Sequence, residues 1–362
     1  MKRINVGIVG CGNISDIYNN NLSTLFPQVH VVACTDLYYE NAGKIAQKYG
    51  IRAVPTIEEL INDPEIDLIL NLTTPNAHYE VSKQGLLAGK HVYSEKPISL
   101  ELAQAKELQA LAAKQGVRLG CAPDTVLGGA VQTCRKLLDS GIIGKPLSAN
   151  VFFGWHGPEH EHPNPEFLYQ YGAGPIFDYG PYYFSTLVTL LGPVSTVAAM
   201  ANKGFDKRTC TCPGPHYGET FDVGTPTHVT GVVEFRNGTI AAVTTSFDIW
   251  GHGQPFIEIY GTKGTLRAPD PDSFGGEILV LKAGEEHFTK VPLSFGYTEN
   301  SRGLGLTDMV RSIEQDEPHR TDDELAVHVL DIMQAFLSSS TQKQTVALTT
   351  TCDRPAPMEP FK

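Results

Sequence analysis

The sequence predicts an α/β protein with an N-terminal doubly wound parallel sheet and a C-terminal α+β domain whose open sheet is mostly antiparallel. Three observations predict this fold. Apolar, β-branched runs alternate with helical patterns through the first third of the chain. A glycine-rich turn joins the first run to the first helix, and short runs of alternating polarity dominate after residue 228. Because 362 residues exceed one ordinary core, we expect about two domains, at residues 1–122 and 123–362.

The first domain contains strands that alternate with helices. The strands are predicted at 4–10, 29–36, 66–73, 90–96 and 117–122, and the helices at 13–22, 40–50, 77–89 and 99–116. Gly50 suits a helix C-cap. Thr56 and Glu59 have the spacing of a capping box, which starts a further helical segment. This order predicts a parallel sheet with helices on both faces.

The second domain contains one apolar helix followed by a series of strands. Pro181 suits the first turn of that helix, and Gly192-Pro193 is a stop signal. The strands are predicted within 228–235, 239–250, 255–262, 264–269 and 277–283, and an amphipathic helix at 322–340. Helices cover one face of such a sheet. An apolar sheet face without cover commonly marks an interface, so we expect a homodimer or homotetramer through the C-terminal sheet.

The charge balance and the cysteines limit the class of protein. The chain has 28 Lys and Arg against 40 Asp and Glu, a net charge of −12, which disfavours nucleic acid and anionic membranes as partners. Its seven cysteines are odd in number and scattered, which is typical of a reducing compartment. The N-terminus leads directly into a strand, and the apolar stretches are shorter than the roughly 18 residues of a membrane helix. We therefore expect a cytoplasmic protein.

The turn after the first strand reads Gly10-x-Gly12-x-x-Ser15. Gly10 permits a tight turn, and Gly12 allows a pyrophosphate to approach the helix N-terminus, where Asn13 and Ile14 follow. Ser15 is small enough for close packing of the helix on the strand. Because the turn follows a strand and opens a helix, it predicts a dinucleotide-binding (Rossmann) site, with a plain glycine turn as the alternative.

Asp36 ends the second strand, where a carboxylate accepts hydrogen bonds from the adenosine ribose hydroxyls. A carboxylate there repels a 2′-phosphate, and residues 37–39 supply no arginine to pair with one. The sequence therefore favours NAD over NADP as the cofactor. The alternative for Asp36 is an aspartate that caps a turn.

Two further strand ends belong to the same predicted site, because ligands bind outside the carboxyl ends of such strands. The end of the third predicted strand supplies candidates for the nicotinamide side of the cofactor: Thr73, Thr74, Pro75, Asn76 and His78. The end of the fourth supplies Glu95 and Lys96, followed by Pro97. Lys96 would place an amine beside the cofactor, where it can transfer a proton, and Glu95 has at most a positioning role.

The segments TTPNAHYE (73–80) and EKP (95–97) resemble motifs of the glucose–fructose oxidoreductase / inositol dehydrogenase (Gfo/Idh/MocA) family. GAGPIFDYGPYYFSTLVTLLGPV (172–194) is similar to the family's segment with Asp-x-Gly-x-His, and the runs at 232–247 and 257–271 are similar to hairpins of its C-terminal sheet. The resemblance implies nicotinamide-dependent oxidation or reduction of a sugar, a polyol or a related hydroxyl compound.

The resemblance also implies three catalytic residues. Lys96 matches the family's lysine, Asp178 its aspartate, and Tyr182 the position usually held by histidine. Tyrosine also occurs there in glucose–fructose oxidoreductase and dimeric dihydrodiol dehydrogenase. Hydride transfer to NAD⁺ needs a base for the hydroxyl proton. Lys96 and Tyr182 are both candidates for this base, and they could form a pair whose pKa values are coupled. Asp178 would orient Lys96 or hold a substrate hydroxyl.

Several residues of the second domain are candidates for substrate contact besides Lys96, Asp178 and Tyr182. They are Asp124, Trp155 and His156. The histidine-rich segment 155–172 suits a loop over a polar substrate better than a metal site, so we expect no metal. Cys210 and Cys212 are expected in a solvated loop.

Three alternatives for the function stay open. One is a sugar-to-sugar oxidoreductase with a tightly held cofactor, and the second is a dihydrodiol-type dehydrogenase. The third belongs to another class, a non-catalytic protein that senses NAD or binds a ligand.

Overall fold

The computed structural model describes residues 4–359, whose contacts divide them into two compact units. The first unit contains the described residues up to Leu127 together with Glu299–Leu330. The second contains Gly128–Thr298 together with the described residues from Asp331 onward. The division into domains after residue 122 stays a prediction, and the sequence did not indicate that Glu299–Leu330 packs with the first unit.

The first unit is built on a six-stranded parallel sheet of order β3-β2-β1-β4-β5-β6. Its strands are β1 (Asn5–Val9), β2 (His30–Thr35), β3 (Arg52–Ala53), β4 (Leu68–Asn71), β5 (His91–Ser94) and β6 (Leu119–Cys121). The predicted alternation is confirmed, with one addition. The edge strand β3 has two residues, which are too few to show a hydrophobic period in the sequence.

Five helices connect these strands. They are α1 (Asn13–Thr24), α2 (Tyr39–Tyr49), α3 (Ile57–Ile61), α4 (Pro75–Leu87) and α5 (Leu102–Gln115). Gly50 ends α2 in the left-handed conformation, with φ of 69°. The Thr56 hydroxyl accepts the backbone N–H of Glu59 at 3.1 Å, which is one of the two bonds of the predicted capping box. The Glu59 carboxylate accepts the Thr56 hydroxyl at 3.1 Å instead of the Thr56 backbone N–H.

The second unit is built on a nine-stranded sheet of order β16-β15-β14-β13-β7-β12-β11-β8-β17. The strands that precede the long loops are β7 (Pro146–Gly154) and β8 (Val194–Asn202). The others of this sheet are β11 (His228–Phe235), β12 (Ile240–Ser246), β13 (Ile257–Gly261), β14 (Gly264–Ala268), β15 (Ile278–Lys282), β16 (Thr289–Val291) and β17 (Val346–Ala347). All neighbours are antiparallel except β7 and β12, which pair in parallel. A mostly antiparallel sheet is therefore confirmed.

The remaining elements complete the two units. A separate two-stranded ribbon joins β9 (Lys207–Thr209) to β10 (Thr220–Asp222). The remaining helices are α6 (Gly129–Asp139), α7 (Gly174–Asp178), α8 (Gly180–Leu191), α9 (Leu304–Gln315) and α10 (Asp323–Gln342). Every residue of α8 is buried, which fits its apolar sequence. Within residues 4–359, no helix combines the length and the hydropathy needed to cross a bilayer.

One face of the nine-stranded sheet carries exposed apolar side chains. Val232 of β11 lies opposite Ala198 of β8 and Ala242 of β12, so the three share a face. Val232 and Ala242 are exposed, and Ala198 is half-buried. Two rows along the same face, Met200 lies opposite Thr230 and is exposed. Assembly through this face stays a prediction.

Candidate active site

The glycine turn between β1 and α1 has the geometry that its sequence predicts. Gly10 has φ of 101°, and a Cβ there would lie 2.6 Å from the backbone carbonyl carbon of Leu72. No other residue type fits this position without strain. The N–H of Gly10 donates to the Thr35 carbonyl at 2.9 Å, which joins the turn to the end of β2. The turn is therefore tied to both strands that flank β1.

The N-terminus of α1 fits the phosphates of a dinucleotide. Gly12 is the N-cap, and among the described atoms none would lie within 4 Å of a Cβ on it. No side chain of residues 4–359 caps the helix, and Asn13 is exposed. Open space beside uncapped N–H groups is what a pyrophosphate needs. Ile14 is half-buried beside them, and Ser15 donates its hydroxyl back to the Gly12 carbonyl at 2.6 Å.

Asp36 lies beside the same turn. One of its carboxylate oxygens accepts the N–H of Cys11 at 2.7 Å, and the other accepts the N–H of Tyr38 at 2.9 Å. Leu37 and Tyr38 are largely exposed. Asp36 therefore holds the glycine turn in place, and its immediate neighbours add no positive charge.

The end of β4 is fixed by its own side chains. The amide oxygen of Asn71 accepts the Thr73 hydroxyl at 2.6 Å. Thr74 is the N-cap of α4 and Pro75 its first residue, a position that suits proline. Asn76 follows in the first turn and is exposed. These residues place polar groups beside the glycine turn, at the same edge of the sheet.

The His78 side chain links the segment after β4 to the segment after β5. Its Nδ1 lies 2.6 Å from the Pro97 carbonyl oxygen, and its Nε2 lies 2.9 Å from the Thr73 carbonyl oxygen. The ring is 1% exposed, and burial lowers its pKa. This placement supports the backbone of the predicted cofactor residues, and the sequence alone did not distinguish support from direct contact.

Glu95 and Lys96 follow β5 directly. The Glu95 N–H donates to the Asn71 carbonyl at 2.8 Å, which continues the pairing with β4. One carboxylate oxygen of Glu95 accepts the Tyr18 hydroxyl at 2.8 Å, and the other accepts the Lys96 backbone N–H at 2.9 Å. The Lys96–Pro97 peptide bond is cis, and Lys96 is half-buried. Tyr18 was missed by sequence reasoning because it lies 77 positions from its partner.

Asp124 has a structural placement. It is 2% exposed, and one oxygen of its carboxylate accepts the N–H groups of Gly303 at 2.8 Å and of Gly305 at 3.2 Å. These groups lie at the start of α9, so the carboxylate caps that helix. Burial raises the pKa of Asp124 to about 6. The contacts favour a role in holding α9 within the first unit.

Asp178 and Tyr182 lie on consecutive helices of the second unit. Asp178 is the last residue of α7 and is half-buried, and Tyr182 lies in the first turn of α8 and is buried. Between them, Tyr179 stacks on Phe153 with 3.7 Å between ring centroids. Tyr179 also makes an edge contact with Trp155 at 6.2 Å. An aromatic wall therefore lies beside both predicted catalytic residues of this unit.

His156 follows Trp155 in the chain and is half-buried. Its ring stacks on the exposed Trp250, with 3.3 Å between centroids. Arg208 donates to the His156 carbonyl at 3.2 Å and to Glu159 at 2.7 Å, and it also contacts Asp248. The guanidinium is almost fully buried between these two carboxylates. This network holds the segment around His156, and no sequence motif indicated it.

The histidines and cysteines considered as metal ligands do not form a metal site among the described residues. Across residues 4–359, no three His, Cys, Asp or Glu side chains form a group that could hold a metal ion. Cys210 and Cys212 are buried, so the expectation of a solvated loop is wrong. They follow β9, whose short ribbon with β10 encloses them.

Comparison with protein families matches both parts of the chain. A model described as "Oxidoreductase family, NAD-binding Rossmann fold" matches residues 4–122. A model described as "GFO/IDH/MocA C-terminal domain" matches residues 131–267. Together these matches cover both the parallel sheet and most of the nine-stranded sheet.

Curated relatives are similar to this chain over about two thirds of its length or more. The 1,5-anhydro-D-fructose reductase of Ensifer adhaerens is 30% identical over 249 residues, which cover 65% of this chain and 67% of the relative. The scyllo-inositol 2-dehydrogenase (NADP(+)) of Bacillus subtilis is 23% identical over 362 residues, covering 95% of this chain and 96% of the relative.

Solved structures show the same fold. An NAD binding oxidoreductase from Klebsiella pneumoniae has a TM-score of 0.82 and 24% identity, and covers 96% of this chain and 100% of its own. A levoglucosan dehydrogenase in complex with NADH has a TM-score of 0.82 and 19% identity, with the same coverage of 96% and 100%.

Proposed function

We propose a function from the premise that the chain belongs to the Gfo/Idh/MocA family of oxidoreductases and has the family's NAD-binding Rossmann fold. The protein transfers hydride between a nicotinamide and a hydroxyl or carbonyl carbon of a sugar, polyol or inositol-like substrate. The relatives named for anhydrofructose and scyllo-inositol support this class of substrate. The individual compound within the class is for a substrate screen to identify.

One observation carries the proposal. The glycine turn after β1, the polar end of β4 and Lys96 after β5 all follow strands of one parallel sheet, in which β1, β4 and β5 are neighbours. The carboxyl ends of parallel strands share an edge, so the glycine turn, the polar end of β4 and the half-buried Lys96 follow strands at one edge of the sheet, which supports a cofactor site there. A turn on an unrelated surface would not explain this grouping.

The residues that would hold the dinucleotide are those of the glycine turn, Asp36 and the end of β4. Gly12 and Asn13 offer backbone N–H groups for the phosphates, and Asp36 offers carboxylate oxygens to the ribose. When bound, the nicotinamide supplies the hydride acceptor or donor. Asp36 supports NAD rather than NADP, because its charge opposes a 2′-phosphate and Leu37 beside it is apolar.

In this proposal Lys96 and Tyr182 move the proton of the substrate hydroxyl. An amine or a phenol must reach that hydroxyl and must have a pKa suited to the transfer. Glu95 keeps the Lys96 backbone in place through the hydrogen bond at 2.9 Å. Asp178 orients the proton-transfer group or binds a hydroxyl, and Trp155 and His156 contribute contacts to the substrate from the aromatic wall.

The test is a screen of sugars, polyols and inositols with NAD⁺ and NADP⁺, read at the nicotinamide absorbance band. Lys96→Met removes the amine and keeps the length of the side chain. It should bind NAD⁺ nearly as wild type does and lose turnover by orders of magnitude. Lys114→Met, at an exposed position of α5, is the matched control and should retain activity.

Wild-type turnover in Lys96→Met would overturn the role of Lys96. Tight NAD⁺ binding without turnover on the whole panel would favour a non-catalytic sensor instead. Cofactor that remains bound through gel filtration would favour the sugar-to-sugar oxidoreductase. We also propose a cytoplasmic location, which the seven free cysteines support, and a homodimer or homotetramer.

A further inference from the structure

We propose that Tyr18 is a positioning residue for Lys96, acting through the carboxylate of Glu95. The inference rests on the proposed function, in which Lys96 moves a proton. The Tyr18 hydroxyl donates to Glu95, and Glu95 in turn accepts the backbone N–H of Lys96, so the effect of Tyr18 passes through Glu95. Three features of the first unit carry the argument.

The first feature is the Tyr18 hydroxyl itself. Tyr18 lies on α1 with 0% exposure, and its hydroxyl donates to a Glu95 carboxylate oxygen at 2.8 Å. Burial raises the pKa of Tyr18 well above its ordinary value, so the phenol keeps its proton. The protonated hydroxyl is therefore a donor to Glu95.

The second feature is the orientation of Glu95. Its other carboxylate oxygen accepts the Lys96 backbone N–H at 2.9 Å, and its own N–H donates to the Asn71 carbonyl at 2.8 Å. The carboxylate is thus held by one donor on each oxygen. Charge-assisted hydrogen bonds of this kind fix geometry more strongly than neutral ones. Without the Tyr18 hydroxyl, one oxygen would lose its donor and the carboxylate would be free to turn.

The third feature is the helix that carries Tyr18. α1 begins directly after Gly12, where the dinucleotide phosphates would lie, and Tyr18 is on its buried side. The hydrogen bond to Glu95 therefore joins the cofactor helix to the loop that carries Lys96. A displacement of α1 would therefore be transmitted to the Glu95 carboxylate, and from there to the Lys96 backbone.

Other titratable groups surround Glu95 and bear on any pH effect. They are Tyr18 of α1, His78 of α4, Lys96, Tyr93 of β5, Cys121 of β6 and Asp124. We expect a Glu95 carboxylate that has lost the Tyr18 hydroxyl to interact more strongly with the amine of Lys96, the next residue in the chain. An opposite charge near an ammonium stabilises it, so the pKa of Lys96 would rise.

The test is Tyr18→Phe, which removes one oxygen and keeps the ring in the core. We expect nearly unchanged NAD⁺ affinity, a kcat lower by about tenfold or more, and an acid limb of the kcat–pH profile for hydroxyl oxidation that moves up by about one unit. A second readout needs no substrate. The pH dependence of Lys96 acylation by acetic anhydride, followed by peptide mass spectrometry, should shift in the same direction.

Tyr93→Phe is the matched control, because Tyr93 is equally buried near Glu95 but its hydroxyl lies 3.3 Å from that of Thr321, whereas the donors to the Glu95 carboxylate are Tyr18 and the Lys96 N–H. It should leave kcat and both pH profiles as in wild type. Glu95→Gln completes the comparison. If Tyr18 acts through the Glu95 charge, Tyr18→Phe should add little to the effect of Glu95→Gln in the double variant.

Wild-type kcat and an unshifted acylation profile in Tyr18→Phe would overturn the proposal. Equal shifts in Tyr93→Phe would also overturn it, because the effect would then come from general packing. If Tyr18→Phe does not fold, Glu95→Gln must shift the acylation profile, and an unshifted profile there refutes the role of the carboxylate. If the panel shows no turnover, the proposed function fails while the acylation profile still decides the role of Tyr18.

Discussion

The carboxylate of Asp36 accepts the backbone N–H of Cys11 at 2.7 Å, so the first residue after β2 holds the middle of the glycine turn. This contact gives Asp36 two tasks in the proposed site. It keeps the turn in shape, and it presents negative charge where the adenosine ribose would lie. A change of cofactor preference must therefore remove the charge and keep an acceptor for Cys11.

The double variant Asp36→Ser/Leu37→Arg should reverse the cofactor preference. Serine keeps an oxygen near the turn, and arginine pairs with a 2′-phosphate. Leu37 is 84% exposed, so its replacement costs little packing. We expect the affinity for NADP⁺ to rise by about tenfold or more relative to NAD⁺, as measured by quenching of tryptophan fluorescence. Leu37→Arg alone should shift the ratio much less, because Asp36 pairs with the new arginine.

Gly10→Ala and Gly12→Ala should separate folding from cofactor binding. At Gly10 the φ of 101° and the nearby Leu72 backbone make alanine strained, at a cost of about 1–3 kcal/mol or more in stability. At Gly12 the φ of −80° is ordinary and the space is open, so the melting temperature should stay near that of wild type. Gly12→Ala should instead weaken NAD⁺ binding, since its Cβ fills the approach to the helix. Equal NAD⁺ affinity in Gly12→Ala would contradict a phosphate site there.

His319 and Asp124 should have opposite effects on the pH dependence of stability. Burial lowers the pKa of His319 from 6.5 to about 4, so between these values the unfolded chain binds a proton that the folded chain lacks, and stability rises with pH. Burial raises the pKa of Asp124 from 3.8 to about 6, so there the folded chain holds the extra proton, and stability falls with pH. Each slope is about 1.4 kcal/mol per pH unit, and the two cancel between pH 4 and 6.

Two variants should expose these opposing slopes in urea unfolding across that pH range. The stability of Asp124→Asn relative to wild type should increase as pH rises, because the unfavourable ionisation is gone. The stability of His319→Gln relative to wild type should decrease over the same range. Parallel curves for wild type and both variants would show that these two groups do not titrate as described.

Arg208 should be a strong stability determinant of the second unit. Arg208→Met leaves Glu159 and Asp248 as buried carboxylates without their shared cation, at a cost of about 3–5 kcal/mol. The comparison is Lys203→Met, which breaks an ion pair with the exposed Asp206 and should change the melting temperature little, because solvent screens exposed pairs. Thermal melting of both variants checks this contrast. Equal small losses would mean that water replaces the Arg208 contacts.

Local signals in the sequence predicted much of the fold. The N-cap at Thr56 and the C-cap at Gly50 depend on residues a few positions apart, and both appear in the structure. The alternation of strands and helices is likewise a local pattern. The parallel pairing of β7 with β12 could not be predicted, because the order of strands in an open sheet is decided by packing over long sequence separations.

In the candidate site, too, local patterns in the sequence predict short-range features and not the contacts between distant residues. Motif spacing identified Gly10, Gly12 and Asp36, because their chemistry depends on a short turn. The hydrogen bond that orients Glu95 beside Lys96 joins residues 77 positions apart, and those of Asp124 join residues about 180 apart. Tyr18 lies within the helix predicted at 13–22, and only the folded chain shows which carboxylate it contacts.

The burial of all seven cysteines has a practical consequence for studies of assembly. Buried thiols react slowly with maleimides, so one cysteine introduced at the surface would carry almost the entire label. Val232→Cys would place such a reporter on the exposed face of the nine-stranded sheet. Labelling of that position would be fast in a monomer and slow wherever another copy covers the face. Because the native cysteines react slowly, the labelling rate at position 232 would report the association of the protein.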